Sequence, residues 1–196
     1  MSVPEKDANA VRISAAPRSL KLAALLVIAL SFGYLLKHSQ EPLRLNIGDP
    51  WSDANVLSSL PYVRDYGFLE TSFTDILDVG PLTQESYRYT HYPPLAEILY
   101  GTLHGYLGVD SIGTMRLFSI AFSALAMWFL FLYVRRTYDE PVAYIATMLW
   151  SCNLLWMMYA DSIHQAPIMQ ATVSTRVGSR TASCLTVTQW TSTTGA

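Results

Sequence analysis

Long apolar runs alternate with polar stretches along this chain, and the runs determine its predicted architecture. Three runs are long enough to matter, at residues 20–37, 115–134 and 141–160. Each approaches the roughly 20 residues that a helix needs to cross a bilayer. The first follows basic residues, as a secretory signal does, but no small-residue cleavage site comes after it, which favours an uncleaved helix. The pattern predicts an all-α membrane protein with about three transmembrane helices.

The polar excursion between the first two runs, residues 38–114, is predicted to be a long external loop that carries juxtamembrane helices. Residues 48–68 have the period of an amphipathic helix, with Pro61 predicted to kink or divide it and Gly67 to end it. One face of this segment collects Val56, Leu57, Leu60 and Val63. Residues 69–86 are predicted to form a loop. Residues 95–109 are apolar but short, which predicts a juxtamembrane or partly re-entrant helix.

Composition supports the membrane assignment, and the placement of basic residues predicts how the chain is oriented in the membrane. The chain is 51% hydrophobic and 14% charged, against about a quarter charged in soluble domains. Arg12, Arg18 and Lys21 place the N-terminus in the cytoplasm, and Arg135 and Arg136 return there if 95–109 does not span. We expect an integral protein of the bacterial inner (plasma) membrane, with its N-terminus in the cytoplasm. No basic patch with interleaved aromatic residues is present, so no nucleic-acid partner is predicted.

The two ends of the chain lack the membrane pattern. Residues 1–19 are polar and mixed, which predicts a disordered cytoplasmic start. Residues 172–196 are about half serine and threonine with no apolar period. A natural Ser/Thr-rich tail and a shifted reading frame both explain that composition. On either reading we expect this segment to be disordered or poorly packed, because it lacks the apolar burial that offsets ordering entropy.

An ordered set of motifs gives residues 20–171 a family resemblance. An external amphipathic segment bearing Asp53 follows the first apolar run, and "HYPPL" (91–95) opens the next helix. Arg116-Leu117 begins a span that ends in Arg135-Arg136, and the third span leads to Asp161. This order resembles the GT-C superfamily of membrane glycosyltransferases, in particular the protein O-mannosyltransferase and aminoarabinose transferase type. The resemblance covers the N-terminal portion of such enzymes.

The resemblance implies transfer of a sugar from a polyprenyl-phosphate donor to an acceptor at the outer membrane face. Asp53 matches the family's catalytic carboxylate, which acts as general base on the acceptor. The next residue is Ala54, where the family often has a second acid, and the family's arginine near the end of the third span has no counterpart here. Candidate substrate-binding residues are Asp49, Arg88, His91, Tyr92 and Asp161. The Pro-Pro corner would hold His91 and Tyr92 toward the donor headgroup.

Simpler interpretations compete with each of these. Asp53 could be a surface acid at a helix N-terminus, and Glu97 could face water from an interfacial helix. The alternative function is a small non-catalytic membrane subunit for assembly or anchoring. A permease fragment is less favoured, because the apolar runs contain neither a charge nor a break. No cofactor is implied beyond the lipid-linked donor, and the pattern leaves a divalent metal open. We expect the chain, as a truncated enzyme, to be inactive alone.

Overall fold

The computed structural model describes residues 15–41, 50–77, 80–89 and 94–163. The predicted tail at 172–196 and most of the polar start lie outside these ranges. Six helices and one two-stranded ladder make up the described part of the chain. In chain order they are α1 (Arg18–Ser39), α2 (Pro50–Glu70), β1 (Asp75–Ile76), β2 (Arg88–Tyr89), α3 (Leu95–Gly105), α4 (Ile112–Thr137), α5 (Glu140–Ser151) and α6 (Leu154–Tyr159). The prediction of an all-α membrane protein is confirmed.

Two helices are long and apolar enough to cross a membrane, among the residues described. They are α1, with 22 residues, and α4, with 26. Much of the apolar surface of α1 stays uncovered by protein, as a lipid-facing helix requires. Its exposed leucines include Leu22, Leu25, Leu26 and Leu30. The bounds of both helices extend the predicted spans by a few residues at each end.

The predicted third span is not one helix but two. α5 ends at Ser151, and the side chain of Asn153 accepts a hydrogen bond from the Trp156 amide to begin α6. An asparagine before a helix can accept a hydrogen bond from a backbone amide of the first turn, which stabilises a helix start at this position. The chain therefore forms two helices here instead of one. The expectation of unbroken apolar helices was therefore wrong at this point.

Together, α5 and α6 still run the length of α1. At one end the Lys21 ammonium meets Glu140 at 3.0 Å, and at the other His38 Nδ1 lies 3.3 Å from Asp161 Oδ2. The 22 residues of α1 measure about 33 Å at 1.5 Å per residue, which is close to the thickness of a hydrocarbon core. Helix α4 packs against both and runs in the opposite direction, with Arg116 beside the end of α1.

The loop between α1 and α4 folds onto the end of this bundle. Val56, Leu60 and Val63 of α2 are buried, as the predicted apolar face requires. The helix runs through Pro61 without interruption, and its backbone breaks instead at Gly67, where φ is +80°. Proline removes one amide donor but allows helical backbone angles, whereas this positive φ favours glycine. The predicted break at Pro61 was misplaced, and the predicted end near Gly67 was close.

A short hairpin occupies part of the segment that the sequence predicted as loop. Ile76 pairs with Arg88 in an antiparallel ladder, and the Ser58 hydroxyl of α2 donates to the Ile76 carbonyl at 3.3 Å. The Tyr62 hydroxyl holds the Gly80 carbonyl at 2.9 Å. Helix α3 then packs against α2. With 11 residues, about 16 Å, it is too short to cross a bilayer.

Two apolar cores hold the described elements together. The first joins α2, α3 and the start of α4 through Val56, Leu60, Ala96, Tyr100, Leu103, Met115 and Ile163. The second joins α1, α4 and α6 through Leu35, Ile120, Met127, Trp156 and Ala160. Ile163 belongs to the first core, and Ala160, three residues earlier, belongs to the second. The short segment after α6 therefore connects the two cores, and it carries the polar residues Asp161 and Ser162.

Candidate functional site

Four parts of the chain bring polar side chains together at one end of the bundle. We call this group the carboxylate cluster: His38 from the end of α1, Asp53 from the start of α2, Arg116 from the start of α4, and Asp161 and Ser162 after α6. Asp53 and Asp161 were predicted as site residues, and the structure brings both into the same cluster. His38, Arg116 and Ser162 were not predicted.

Asp53 is the most enclosed acid of the cluster, with an exposed fraction of 4%. Its Oδ1 accepts a hydrogen bond from the Ser162 hydroxyl at 2.6 Å and another from the Ile163 amide at 2.9 Å. It occupies the first turn of α2, where the helix dipole favours a negative charge. The interpretation of Asp53 as a surface acid is therefore wrong, since the side chain is buried against the segment after α6.

The environment raises the pKa of Asp53 to about 6, mainly because burial disfavours the carboxylate. The hydrogen bond from Ser162, the charge of Arg116 and the hydrogen bond from Ile163 oppose that rise, while the charge of Asp161 adds to it. A carboxylate with this pKa is mostly ionised at neutral pH. It is also a stronger base than an exposed aspartate, which is the combination that general-base catalysis requires.

Arg116 joins the end of α1 to the cluster. It is 5% exposed, and its guanidinium donates to the Glu41 carbonyl at 2.7 Å and to the His38 carbonyl at 3.4 Å. Carbonyls at a helix C-terminus lack partners within the helix, so a cation there satisfies both hydrogen bonding and the dipole. The Nε atom of Arg116 has no hydrogen-bond partner among the described residues. The sequence indicated only that an arginine bounds an apolar run.

His38 connects the second acid to α1. Its Nδ1 lies 3.3 Å from Asp161 Oδ2, its Nε2 lies 3.7 Å from Glu41, and its ring stacks on Tyr34 at 5.7 Å between centroids. One residue before Asp161, the Ala160 carbonyl accepts from the buried Ser123 hydroxyl at 2.8 Å. The segment after α6 is thus fixed from α1, α2 and α4 at once.

Helix α3 contacts α4 near the carboxylate cluster through Tyr100. Tyr100 is fully buried, and its hydroxyl lies 2.6 Å from the Ser119 hydroxyl of α4. Burial, opposed by this hydrogen bond and assisted by the charge of Asp53, raises the pKa of Tyr100. Glu97 is 6% exposed in the first turn of α3, so the expectation that it faces water was wrong.

The remaining predicted site residues do not join this cluster in the described part of the chain. Asp49, His91 and Tyr92 lie outside the described residues. Arg88 lies in β2, where its guanidinium donates to the Ser72 hydroxyl and to the Glu70 carbonyl at 3.2 Å. Glu70 is at the opposite end of α2 from Asp53, and the helix measures roughly 20 Å from Asp53 to Tyr66. Arg88 therefore belongs to the hairpin side of the loop.

A metal site does not emerge from the geometry. Within the described ranges, no group of three or more histidine, cysteine, aspartate or glutamate side chains is arranged to hold an ion. Instead the cluster combines two carboxylates, a guanidinium and an imidazole at the end of apolar helices. Such a set can accept a proton and attract an anion.

Comparison with known proteins adds the deciding observation. Residues 91–187 match the family model described as dolichyl-phosphate-mannose-protein mannosyltransferase. This chain is related to the GT-C-type membrane glycosyltransferases. No curated protein and no solved structure gives a significant match. The resemblance inferred from the "HYPPL" corner and the following spans is confirmed.

Only part of the carboxylate cluster lies within the residues that match this glycosyltransferase family. Arg116, Asp161 and Ser162 lie inside the matched residues 91–187, whereas His38 and Asp53 precede them. The match begins at the His91 corner and continues to residue 187, beyond residue 171 where the sequence resemblance was drawn to end. The tertiary structure, rather than the match, is what brings Asp53 to the family segment.

Proposed function

We propose that this membrane glycosyltransferase transfers a sugar from a polyprenyl-phosphate donor to an acceptor at the outer membrane face, with Asp53 as general base. The observation that carries the proposal is the enclosed Asp53 carboxylate beside Arg116, at the membrane-boundary end of two apolar helices. A carboxylate in that place can receive a proton from an acceptor while the lipid chain of the donor stays in the bilayer.

The distribution of basic residues supports an outer location for the cluster. Arg18 and Lys21 begin α1, and Arg135 and Arg136 end α4, so all four belong to one end of the bundle. Lysine and arginine concentrate on the cytoplasmic side of membrane proteins. His38, Asp53 and Asp161 lie at the other end, which this rule assigns to the outer face.

The reaction needs one base and one good leaving group. The acceptor hydroxyl attacks the anomeric carbon of the sugar, and its proton passes to Asp53. The bond between that carbon and the phosphate oxygen breaks, and the polyprenyl phosphate leaves with the electron pair. Because a phosphate leaves readily as an anion, base assistance to the acceptor is where the protein contributes most.

We further propose that Asp49, His91 and Tyr92 contact the donor headgroup, and that Asp161 completes the site next to Asp53. Arg88, the fourth predicted contact, is fixed to the hairpin by Ser72 and Glu70, at the opposite end of α2 from Asp53. The distance of roughly 20 Å along the helix places Arg88 out of reach of a headgroup whose sugar reacts beside Asp53. The mannose named in the family description is the sugar to test first.

The test is sugar transfer in proteoliposomes that contain an intact homologous enzyme carrying the same loop, with polyprenyl-phosphate mannose as donor. Asp53→Asn keeps the size and the two accepted hydrogen bonds but removes the base, and the expected loss of turnover is about 10²–10⁴-fold. Asp65→Asn is the matched control on the same helix, since Asp65 is exposed and pairs with Arg64. Equal turnover of Asp53→Asn and the unmodified protein would remove Asp53 from the mechanism. That the 196-residue chain alone transfers no sugar stays a prediction.

The non-catalytic alternative makes the opposite prediction. An assembly or anchoring subunit has no use for an ionised acid enclosed to 4% exposure, because burying a charge costs stability. If donor and acceptor are both bound and no transfer occurs in any lipid composition, the subunit interpretation is favoured.

A further inference from the structure

The Asp53 carboxylate accepts hydrogen bonds from two consecutive residues, Ser162 and Ile163. Both donors that reach it, the Ser162 hydroxyl at 2.6 Å and the Ile163 amide at 2.9 Å, bind the same oxygen, Oδ1. The backbone donor is anchored because Ile163 is completely buried in the apolar core between α2 and α3. Two donors on a single oxygen fix the plane of the carboxylate and leave the other oxygen in a set direction.

We infer that Ser162 is a positioning residue for the general base: its hydroxyl and the Ile163 amide hold Oδ1 of Asp53 so that Oδ2 serves the acceptor. The inference rests on the proposed function for its catalytic meaning, but the arrangement itself can be measured without sugar transfer. Ser162 would touch neither donor nor acceptor and would act through Asp53.

A second consequence concerns the charge of Asp53. Hydrogen bonds to a carboxylate favour its ionised form, and a hydroxyl at 2.6 Å is a short, charge-assisted donor. The charged and titratable groups that act on Asp53 or on its neighbour Asp161 are Arg116 from α4, Asp161 from the segment after α6, His38 from α1 against Asp161, and Tyr100 from α3; Glu97 is buried in the first turn of the same α3. Ser162→Ala alters none of these side chains, so the change in the pKa of Asp53 reports the loss of the Ser162 side chain.

The experiment follows the protonated Asp53 carboxyl by infrared difference spectroscopy during a pH titration of the purified chain in lipid nanodiscs. Asp53→Asn identifies the band. In Ser162→Ala, we expect the titration midpoint of Asp53 to rise by about one pH unit. Ser162→Thr retains a hydroxyl and should restore the midpoint, and Ser162→Cys, a weaker donor, should fall between. If the alanine variant does not fold, the difference in midpoint between Ser162→Thr and Ser162→Cys still tests the inference.

Ser123→Ala is the matched control. Ser123 is also a buried serine that holds this segment, through the Ala160 carbonyl, but it makes no bond to Asp53. Its removal should leave the Asp53 midpoint unchanged. An unchanged midpoint in Ser162→Ala, or an equal shift in Ser123→Ala, would overturn the inference.

Sugar transfer then separates this inference from the proposed function. If both hold, the acid limb of the rate profile moves to higher pH in Ser162→Ala by the same amount as the infrared midpoint. If the midpoint moves and the rate profile does not, Ser162 positions Asp53 but Asp53 is not the base. That outcome contradicts the proposed catalytic role while leaving the measured arrangement intact.

Discussion

At the scale of single residues, burial changes what Asp53 can do. The same side chain on an exposed helix start would have a pKa near the ordinary value of 3.8, so it would be fully ionised at neutral pH and would be a weak base. Enclosure against the segment after α6 raises its pKa to about 6. The gain in basicity has a cost in stability, because the folded protein must hold a charge in a partly dry environment.

That cost has a definite dependence on pH. The pKa of Asp53 in the folded protein, about 6, lies above its ordinary value of 3.8, so the folded state binds the proton more tightly than the unfolded state. The contribution of this group to stability is therefore fully present below pH 4 and is lost as pH rises through 6. The difference between the two ends of this range is on the order of 2–3 kcal/mol.

The measurement compares Asp53→Asn with the unmodified chain. Because asparagine does not titrate, the melting temperature of Asp53→Asn relative to the unmodified chain in detergent should rise between pH 4 and pH 6.5. Asp65→Asn should show an almost flat relative melting temperature over this range, since Arg64 holds the pKa of the exposed Asp65 below its ordinary value of 3.8 and its titration lies mainly below pH 4. A relative melting temperature for Asp53→Asn that stays flat over this range would contradict the enclosed position of Asp53.

Arg116 provides a second prediction at the residue scale. Arg116→Met keeps much of the apolar stem but removes the donor to the His38 and Glu41 carbonyls and the cation near Asp53. We expect a loss of about 2–3 kcal/mol, seen as a lower melting temperature at neutral pH. The control is Arg136→Met at the exposed end of the same helix, which should change stability little. Equal effects of the two substitutions would show that Arg116 does not secure the end of α1.

At the scale of elements, the α2–α3 pair packs against the start of α4 and Ile163, at the end of the bundle that carries the carboxylate cluster. Gly67 ends the regular part of α2, and Phe68 then stacks on Phe73 at 5.5 Å and on Tyr106 at 6.0 Å. Helix α3 approaches α2 closely at Gly101. A Cβ atom there would lie 3.0 Å from both the Val63 and the Phe68 side chains. The close approach brings Tyr100 of α3 near enough to Asp53 for the charge of Asp53 to affect its hydroxyl.

Gly101 therefore tests the contact between α2 and α3. Gly101→Leu would place a branched side chain against the buried Val63, and overpacking of this kind costs about 1–3 kcal/mol. The expected result is a lower melting temperature in detergent together with an altered infrared midpoint for Asp53. Gly33→Leu in α1 is the control, because nothing lies within 4 Å of a Cβ atom there. If both variants melt alike, the packing of α3 on α2 does not limit stability.

At the scale of the whole molecule, the carboxylate cluster and the four basic residues at the start of α1 and the end of α4 occupy opposite ends of one bundle. Lys21 and Glu140 pair at one end, and His38 and Asp161 meet at the other, while α1, α4 and the α5–α6 pair run between them. This arrangement predicts that the hairpin and the cluster face outward and that the turn between α4 and α5 faces the cytoplasm.

Cysteine labelling tests that topology. In a Cys152→Ser, Cys184→Ser background, single cysteines replace Glu85 on the hairpin loop and Thr137, the last residue of α4, both exposed. A membrane-impermeant maleimide added to intact cells should label position 85 and reach position 137 only after the membrane is opened. Labelling in the reverse order would contradict the orientation and remove the cluster from the outer face.

The sequence by itself determined the helices and their order. Apolar length predicted α1 and α4, the i, i+4 and i+7 spacing predicted the buried face of α2, and the order of Asp53, "HYPPL", Arg116 and Asp161 indicated the family. These features are local, because chain length, periodicity and motif order need no knowledge of distant contacts. The break of the third span at Asn153 was missed because a cap of one residue is a weak signal inside an apolar run.

Only the tertiary structure decided which polar residues meet. Asp53 and Ser162 are separated by most of the described chain, and their contact depends on α5 and α6 running together beside α1. An arginine at the start of an apolar run looks the same in the sequence whether it only marks the end of a membrane span or, like Arg116, donates hydrogen bonds to carbonyls at the end of another helix. The burial that raises the pKa of Asp53 is a property of the packed elements around it. A side chain acquires that environment only when distant segments pack together, so its chemistry could not be derived from spacing along the chain.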